Sequence, residues 1–189
     1  DAGVVAADLT NCAPTTYRVS TDPARGDTKV TYEAHDFYVD PDGVAAAEFN
    51  SVSTTTYSLI PALLGISPDV EMSIIAGGAY DCNDDPIEGA MVVVVDDEGK
   101  VPESLLIKYF IEDFPSPDQP YTSADGLWVA MDVPEGNWTV ELWGLVNGAE
   151  TLLGKTELQA YAGSINISSI YTGYETGVKA PESCLATTQ

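Results

Sequence analysis

From Val70 onward, apolar residues come in short runs separated by Asp, Gly and Pro. The runs cover 70–80, 89–95, 104–111, 127–133, 137–146, 151–160 and 164–171, lengths that suit strands better than helices. Runs at this spacing predict a mainly β fold, two antiparallel sheets stacked as a sandwich. Upstream, in 29–39, Val30, Tyr32 and Ala34 alternate with Thr31, Glu33 and His35, as in a half-buried strand. Asp40-Pro41-Asp42-Gly43 then reads as a turn, and 44–52 as the partner strand of a hairpin. The helix candidate is 54–64, TTTYSLIPALL, with Thr54 or Thr55 as cap and Gly65 as stop; Pro61 inside it points to a short or broken helix.

Residues 1–28 contain Pro14, Pro23 and Gly26 and read as an extended arm with one strand, Thr15–Ser20. The expected organisation is therefore an arm over 1–28, a hairpin and short helix over 29–69 that pack on the sandwich, the sandwich over 70–173, and a tail over 174–189.

Two stretches carry more than periodicity. In 77–95, Gly77, Ala79, Asp81, Pro86, Gly89, Ala90 and Val92 stand at set intervals. In 122–140, so do Thr122, Gly126, Trp128, Ala130, Val133, Pro134, Gly136, Trp138 and Val140. Together they resemble the carboxypeptidase regulatory-like domain, a transthyretin-like sandwich of seven strands. Asp84 departs from the pattern, where a glycine is usual. The resemblance spans about 70–173 and leaves 1–69 unplaced. It implies a first hairpin turning at Asp81–Pro86, with Gly89 bringing the second strand in close, and a second hairpin closed by Pro134-Glu135-Gly136.

The resemblance also chooses a register. Plain alternation over 127–133 buries Leu127, Val129, Met131 and Val133. The family pattern buries Trp128 and Ala130 and then shifts phase near Met131-Asp132, which requires a bulge. In that register Trp128 meets Trp138, Val140 and Leu142, while Leu127, Val129 and Met131 face outward. Met91, Val93 and Val95 do the same on the other strand, behind Ala90, Val92 and Val94. Strands apolar on both faces are usually covered on both. The cover is either the chain's own 1–69 or a second copy of the protein.

Charge narrows the partners. Among 189 residues, 30 are acidic and 7 basic, for a net charge of −23. That excludes a nucleic-acid partner, which needs clustered Lys and Arg, and argues against anionic membranes. No apolar run reaches membrane-spanning length, so no membrane insertion is expected. The acids are scattered, as on a solvated surface. Scarce Lys, Asp/Gly/Pro turns and abundant Thr, Ser, Tyr and Val suggest a secreted or cell-surface protein with its signal peptide removed.

Cys12, Cys82 and Cys184 are too few and too dispersed for zinc, and read as one disulfide plus a spare thiol. Cys82 ends the first sandwich strand and Cys184 lies beyond the last, which favours a Cys82–Cys184 bridge; Cys12 remains the alternative partner of either.

Reactive chemistry is sparse. His35, the single histidine, has no nucleophile motif beside it, and Gly-x-Ser-x-Gly, HExxH and a phosphate-cradling loop are absent. Asp81, Asn83 and Asp85 place oxygens at alternate positions, as a Ca²⁺ loop does, but without the glycine and glutamate of an EF-hand; a solvated turn competes. Trp143 and Tyr57, Tyr109, Tyr121, Tyr161, Tyr171 and Tyr174 are candidates for a sugar-stacking platform, against the commoner core role of aromatics. Asn137-Trp138-Thr139 and Asn166-Ile167-Ser168 are formal glycosylation sequons.

The sequence thus points to a non-catalytic structural or adhesive module, without cofactor. Its expected partner is itself or another surface protein, through a filament or homo-oligomer built on the N-terminal arm. A glycan-binding module, with or without Ca²⁺, is the alternative.

Overall fold

The computed structural model describes residues 8–22, 24, 28–37, 51–181 and 184. The turn at 40–43 and most of the expected partner strand, 44–50, lie outside them. The described residues form β1 (Pro14–Val19), β2 (Thr31–Phe37), α1 (Thr54–Leu64), β3 (Ser73–Tyr80), β4 (Met91–Val95), β5 (Leu106–Ile111), β6 (Phe114–Ser116), β7 (Leu127–Val133), β8 (Gly136–Val146), β9 (Ala149–Ala160), β10 (Ile165–Ile167) and β11 (Ile170–Tyr171).

Two sheets make a sandwich. The larger runs β1-β2-β10-β3-β7-β5-β6, with β11 also pairing β3; the smaller runs β4-β8-β9. Most pairings are antiparallel, but β10 lies parallel to both β2 and β3, and β11 parallel to β3. The N-terminal strands therefore join the sandwich through β10, and β1 is the outer edge of the larger sheet.

The two expected hairpins are corners between sheets. β3 and β7 belong to the larger sheet, whereas β4 and β8 belong to the smaller one. The chain does fold back briefly after β3, with Ile87 N–H donating to Ala79 O at 2.9 Å, before it crosses over. The crossings set Trp128 and Trp138 on opposing inner faces. They share one core with Val92, Val94, Val140 and Leu142, in which Trp128 is 1% and Trp138 9% exposed.

β7 takes the register with Trp128 and Ala130 inward. Its phase shifts where expected: Val133 pairs Ser73 and Ala130 pairs Ile75, so Met131 and Asp132 bulge opposite Ile74, with Asp132 at φ 58°. Val129 and Met131 then face the other way into a second core with Leu64, Ile74 and Ile165, flanked by Tyr57 and Ile60. The cover on that face is the chain's own helix.

Helix α1 is capped by Ser53, whose Oγ accepts Thr56 N–H at 2.9 Å, not by Thr54 or Thr55. It runs unbroken through Pro61. Gly65, at φ 67°, ends it: Gly65 N–H donates to Ala62 O and Ile66 N–H to Pro61 O. Pro61 forfeits the one helical hydrogen bond of its missing N–H, and its ring is buried. Among the described residues, none of the helix or strands covers the outer face of the smaller sheet. There Met91 pairs Trp143 and Trp143 pairs Leu152, with Met91 50%, Leu152 40% and nearby Leu145 73% exposed.

Candidate functional site

The seam where β2 crosses β9 gathers the least ordinary features of the molecule. β2 bulges as it pairs β1, with the register shifting between Thr15 and Tyr17 opposite Glu33–Asp36. His35 sits in the bulge at φ 68°, a left-handed conformation rare for a side-chain-bearing residue. The bulge turns the imidazole toward the smaller sheet, where Nε2 lies 2.8 Å from Glu157 O on β9. A carbonyl only accepts, so Nε2 carries the proton of this bond.

The tail closes the seam from outside. Gly177 is pressed so tightly on β9 that an added Cβ would stand 2.2 Å from Lys155 O. Gly177 O accepts Tyr171 N–H at 2.8 Å, tying the tail to β11. Farther on, Lys179 pairs with Asp84, and the Asp84 carboxylate raises the Lys179 pKa.

His35 borders three hollows. The first, about 380 Å³, is bordered by Thr156, Glu157 and Glu175; the second, about 260 Å³, by Ser168 and Lys179; the third, about 210 Å³, by Tyr32 and Tyr161. Tyr32 and Tyr161 stack on one another with ring centroids 3.9 Å apart. Thr156 and Ser168 are each 1% exposed. Their hydroxyls find no hydrogen-bond partner among the described residues.

The residues singled out from sequence are spread more widely. The disulfide joins Cys12 to Cys184, so the favoured Cys82–Cys184 bridge does not form and Cys82 is an exposed free thiol. The physical reason is the position of β1: as the outer neighbour of β2 it carries Cys12 to the tail, whereas Cys82 sits in the loop after β3. That loop uses its own carboxylate. Asp81 Oδ1 accepts the N–H groups of Asn83 at 2.7 Å and Asp85 at 3.0 Å, and the Asn83 amide donates to Oδ2 at 3.3 Å. The hydrogen bonds from the Asp85 and Asn83 main chains hold Asp81 below the usual carboxylate range. Among the described residues, no three His, Cys, Asp or Glu side chains converge as metal ligands. Asp81, Asn83 and Asp85 are thus bonded to one another within the turn.

The aromatics do not make one platform. Tyr109 is in the main core, with its hydroxyl accepting Val92 N–H at 2.9 Å. Tyr57 borders the helix core, where Lys29 Nζ lies 4.2 Å from its ring centroid. Tyr171 stacks with Tyr80, Trp143 lies on the outer face of the smaller sheet, and Tyr161 stands at the seam. Of the sequons, Asn137 is exposed, but Asn166 is 1% exposed. Its amide donates to Ile74 O at 3.1 Å and its Oδ1 accepts Tyr161 N–H at 3.3 Å, so in the fold it has no room for a glycan. Sequence reasoning missed Thr156 and Ser168, since a buried hydroxyl without a partner has no signature in the chain.

No helix among the described residues is long and apolar enough to cross a membrane. No family model and no curated protein matches the chain. Among solved structures, the major pilin subunit of Bacillus cereus, BcpA, is similar at a TM-score of 0.32 and 14% identity, over 55% of this chain and 30% of the pilin.

Proposed function

We propose that the chain is a non-catalytic, secreted or cell-surface structural module, a transthyretin-like sandwich of the carboxypeptidase regulatory-like kind. The observation that carries this reading is the Cys12–Cys184 bond, which closes a sequence separation of 172 residues. Tension applied to the chain outside the two cysteines runs through the sulfurs and bypasses every described strand. A module built this way is inextensible under load, as a surface stalk or adhesive layer requires, and its bond suits an oxidising compartment. The single histidine is consistent with it, since Nε2 serves a main-chain carbonyl and not a nucleophile.

Self-association is the finer part of the proposal. Among the described residues β1 is the outer edge of its sheet, and an open edge accepts another strand. The net charge of −23 opposes close approach, so screening favours it.

Force spectroscopy on the full chain, pulled from its two termini, tests the mechanical reading. The oxidised protein is expected to show no sandwich-unfolding step. After reduction, the 172-residue separation should release about 600 Å of contour length at roughly 3.6 Å per residue. A full-length unfolding step in the oxidised protein would refute the load-bearing role.

A further inference from the structure

We propose that an internal water molecule is bound between the two sheets, held by Trp128 Nε1, Ser168 Oγ and Thr156 Oγ1. Each of these residues is 1% exposed, and none of the three atoms has a hydrogen-bond partner among the described residues. Buried polar groups are nearly always paired, so exceptions gathered in one region call for a common partner.

The fold brings the three atoms to one place. The chain turns back at 161–164, so that β9 of the smaller sheet faces β10 and β11 of the larger one. At the turn, Tyr161 N–H donates to Asn166 Oδ1 at 3.3 Å. At the far end, a Cβ on Gly154 would stand 3.4 Å from Ile170 Cγ2. Between these two contacts the same alignment sets Thr156 opposite Ser168. Thr156 shares the inward face of β9 with Leu158 and Ala160, both in the main core. Trp128 reaches the same level from β7. A Cβ on Gly77 would stand 1.9 Å from Ser168 O and 3.1 Å from Trp128 Cζ2, so Ser168 lies against the edge of the indole. Cζ2 is bonded to the ring carbon that carries Nε1.

The chemistry of the three atoms selects water. An indole N–H only donates, whereas each hydroxyl donates and accepts. A water oxygen accepts from Nε1, and its two hydrogens go to Oγ and Oγ1, which makes about three bonds, the usual number for a buried water. Burial this complete leaves no entry for a larger ligand. A metal ion is disfavoured because the indole presents a proton and no acidic, His or Cys ligands converge among the described residues. The water ties β7 and Ser168 on one side to β9 on the other, beneath the bond from His35 to Glu157.

The test uses the full oxidised chain, with water itself as the probe. In NMR the Trp128 indole proton should show NOE and ROE cross-peaks to water of opposite sign, the mark of a water that tumbles with the protein. Trp138 is the internal control: its Nε1 donates to Pro134 O, so its indole proton should show no such pair. Magnetic relaxation dispersion of the water oxygen counts the long-lived waters independently. The double variant Thr156→Val with Ser168→Ala keeps the side-chain shapes and removes both hydroxyls. It should lose the Trp128 cross-peaks and hold one long-lived water fewer than the parent. A parent without the Trp128 cross-peaks overturns the proposal, whether or not the variant folds. So does a folded double variant that keeps them. Loss of the cross-peaks with an unchanged water count would mean that the hydroxyl protons had relayed the signal, and it overturns the proposal as well.

Discussion

His35 and Glu157 join the two sheets directly: the imidazole Nε2 of one stands 2.8 Å from the main-chain oxygen of the other. The bond exists because His35 adopts φ 68°, so its contribution is offset by backbone strain. Two substitutions separate the terms. His35→Ala loses the bond and keeps the strain, whereas His35→Gly loses the bond and removes it. The glycine variant should be the more stable of the two by about 1 kcal/mol, the reverse of the usual order in a strand. Urea unfolding of both gives the answer, and an alanine variant at least as stable would show the conformation to be unstrained.

Two cores give two independent stability predictions. Trp138 lies in the sandwich core and donates from Nε1 to Pro134 O at 2.8 Å, so Trp138→Ala should cost about 3–5 kcal/mol. Leu64, 7% exposed in the helix core, should cost about 2–4 kcal/mol as Leu64→Ala. The second loss should also unprotect Val129 and Met131, as read by hydrogen exchange in β7. A Leu64→Ala variant with unchanged stability would mean that the helix does not seal that face.

Reduction of Cys12–Cys184 should lower stability by about 5 kcal/mol in the chain-entropy account for a loop this long. Cys12 precedes edge strand β1, and Cys184 follows the tail that closes the seam, so the seam should loosen first. Cys82 should react with a thiol reagent before reduction, in a single equivalent, because it is exposed and free. Peptide mapping that places Cys82 in a bridge would contradict this pairing.

The sandwich was legible because its inner faces alternate and its corners carry Asp, Gly and Pro. The bulge at Met131-Asp132 was legible only through the family pattern, since plain alternation carries one phase through the strand and both faces of β7 are buried. The helix cover could be anticipated from the outward Val129 and Met131, but not its cap, because Ser53, Thr54 and Thr55 are all adequate cap residues. The parallel insertion of β10 between β2 and β3 was not legible, because short strands carry no partner information. The same gap misled the disulfide: pairing depends on which strand forms the edge, and that is a long-range fact. His35 drew attention by its rarity alone. Its left-handed backbone and the buried hydroxyls near it arise from packing between segments more than a hundred positions apart.

Salt should decide the oligomeric state. With 30 acidic residues against 7 basic, copies repel at low ionic strength. Sedimentation velocity should find a monomer in dilute buffer and larger species at about 1 M salt, where the screening length falls to about 3 Å. A monomer in both would end the self-association reading and leave β1 as a local edge.

High pH should unfold the protein through Tyr109. Burial pushes its phenol above the ordinary 10.0, and the Val92 N–H bond pulls the other way and only partly offsets this. Tyr57 moves in the same direction, through burial and then the Asp132 charge. The folded state prefers the neutral phenol more than the unfolded state does. Its contribution is therefore fully present below pH 10 and is lost as pH rises through the folded value, at up to about 1.4 kcal/mol per pH unit for the buried Tyr109 and less for the partly exposed Tyr57. Tyr109→Phe should remove one of these slopes. It should also cost about 1–3 kcal/mol at neutral pH, because Val92 N–H is left buried without its acceptor. Urea midpoints from pH 8 to 11 for the parent and the variant separate the two effects. An unchanged alkaline slope in the variant would assign the transition to other tyrosines, with Tyr57→Phe as the next substitution to measure.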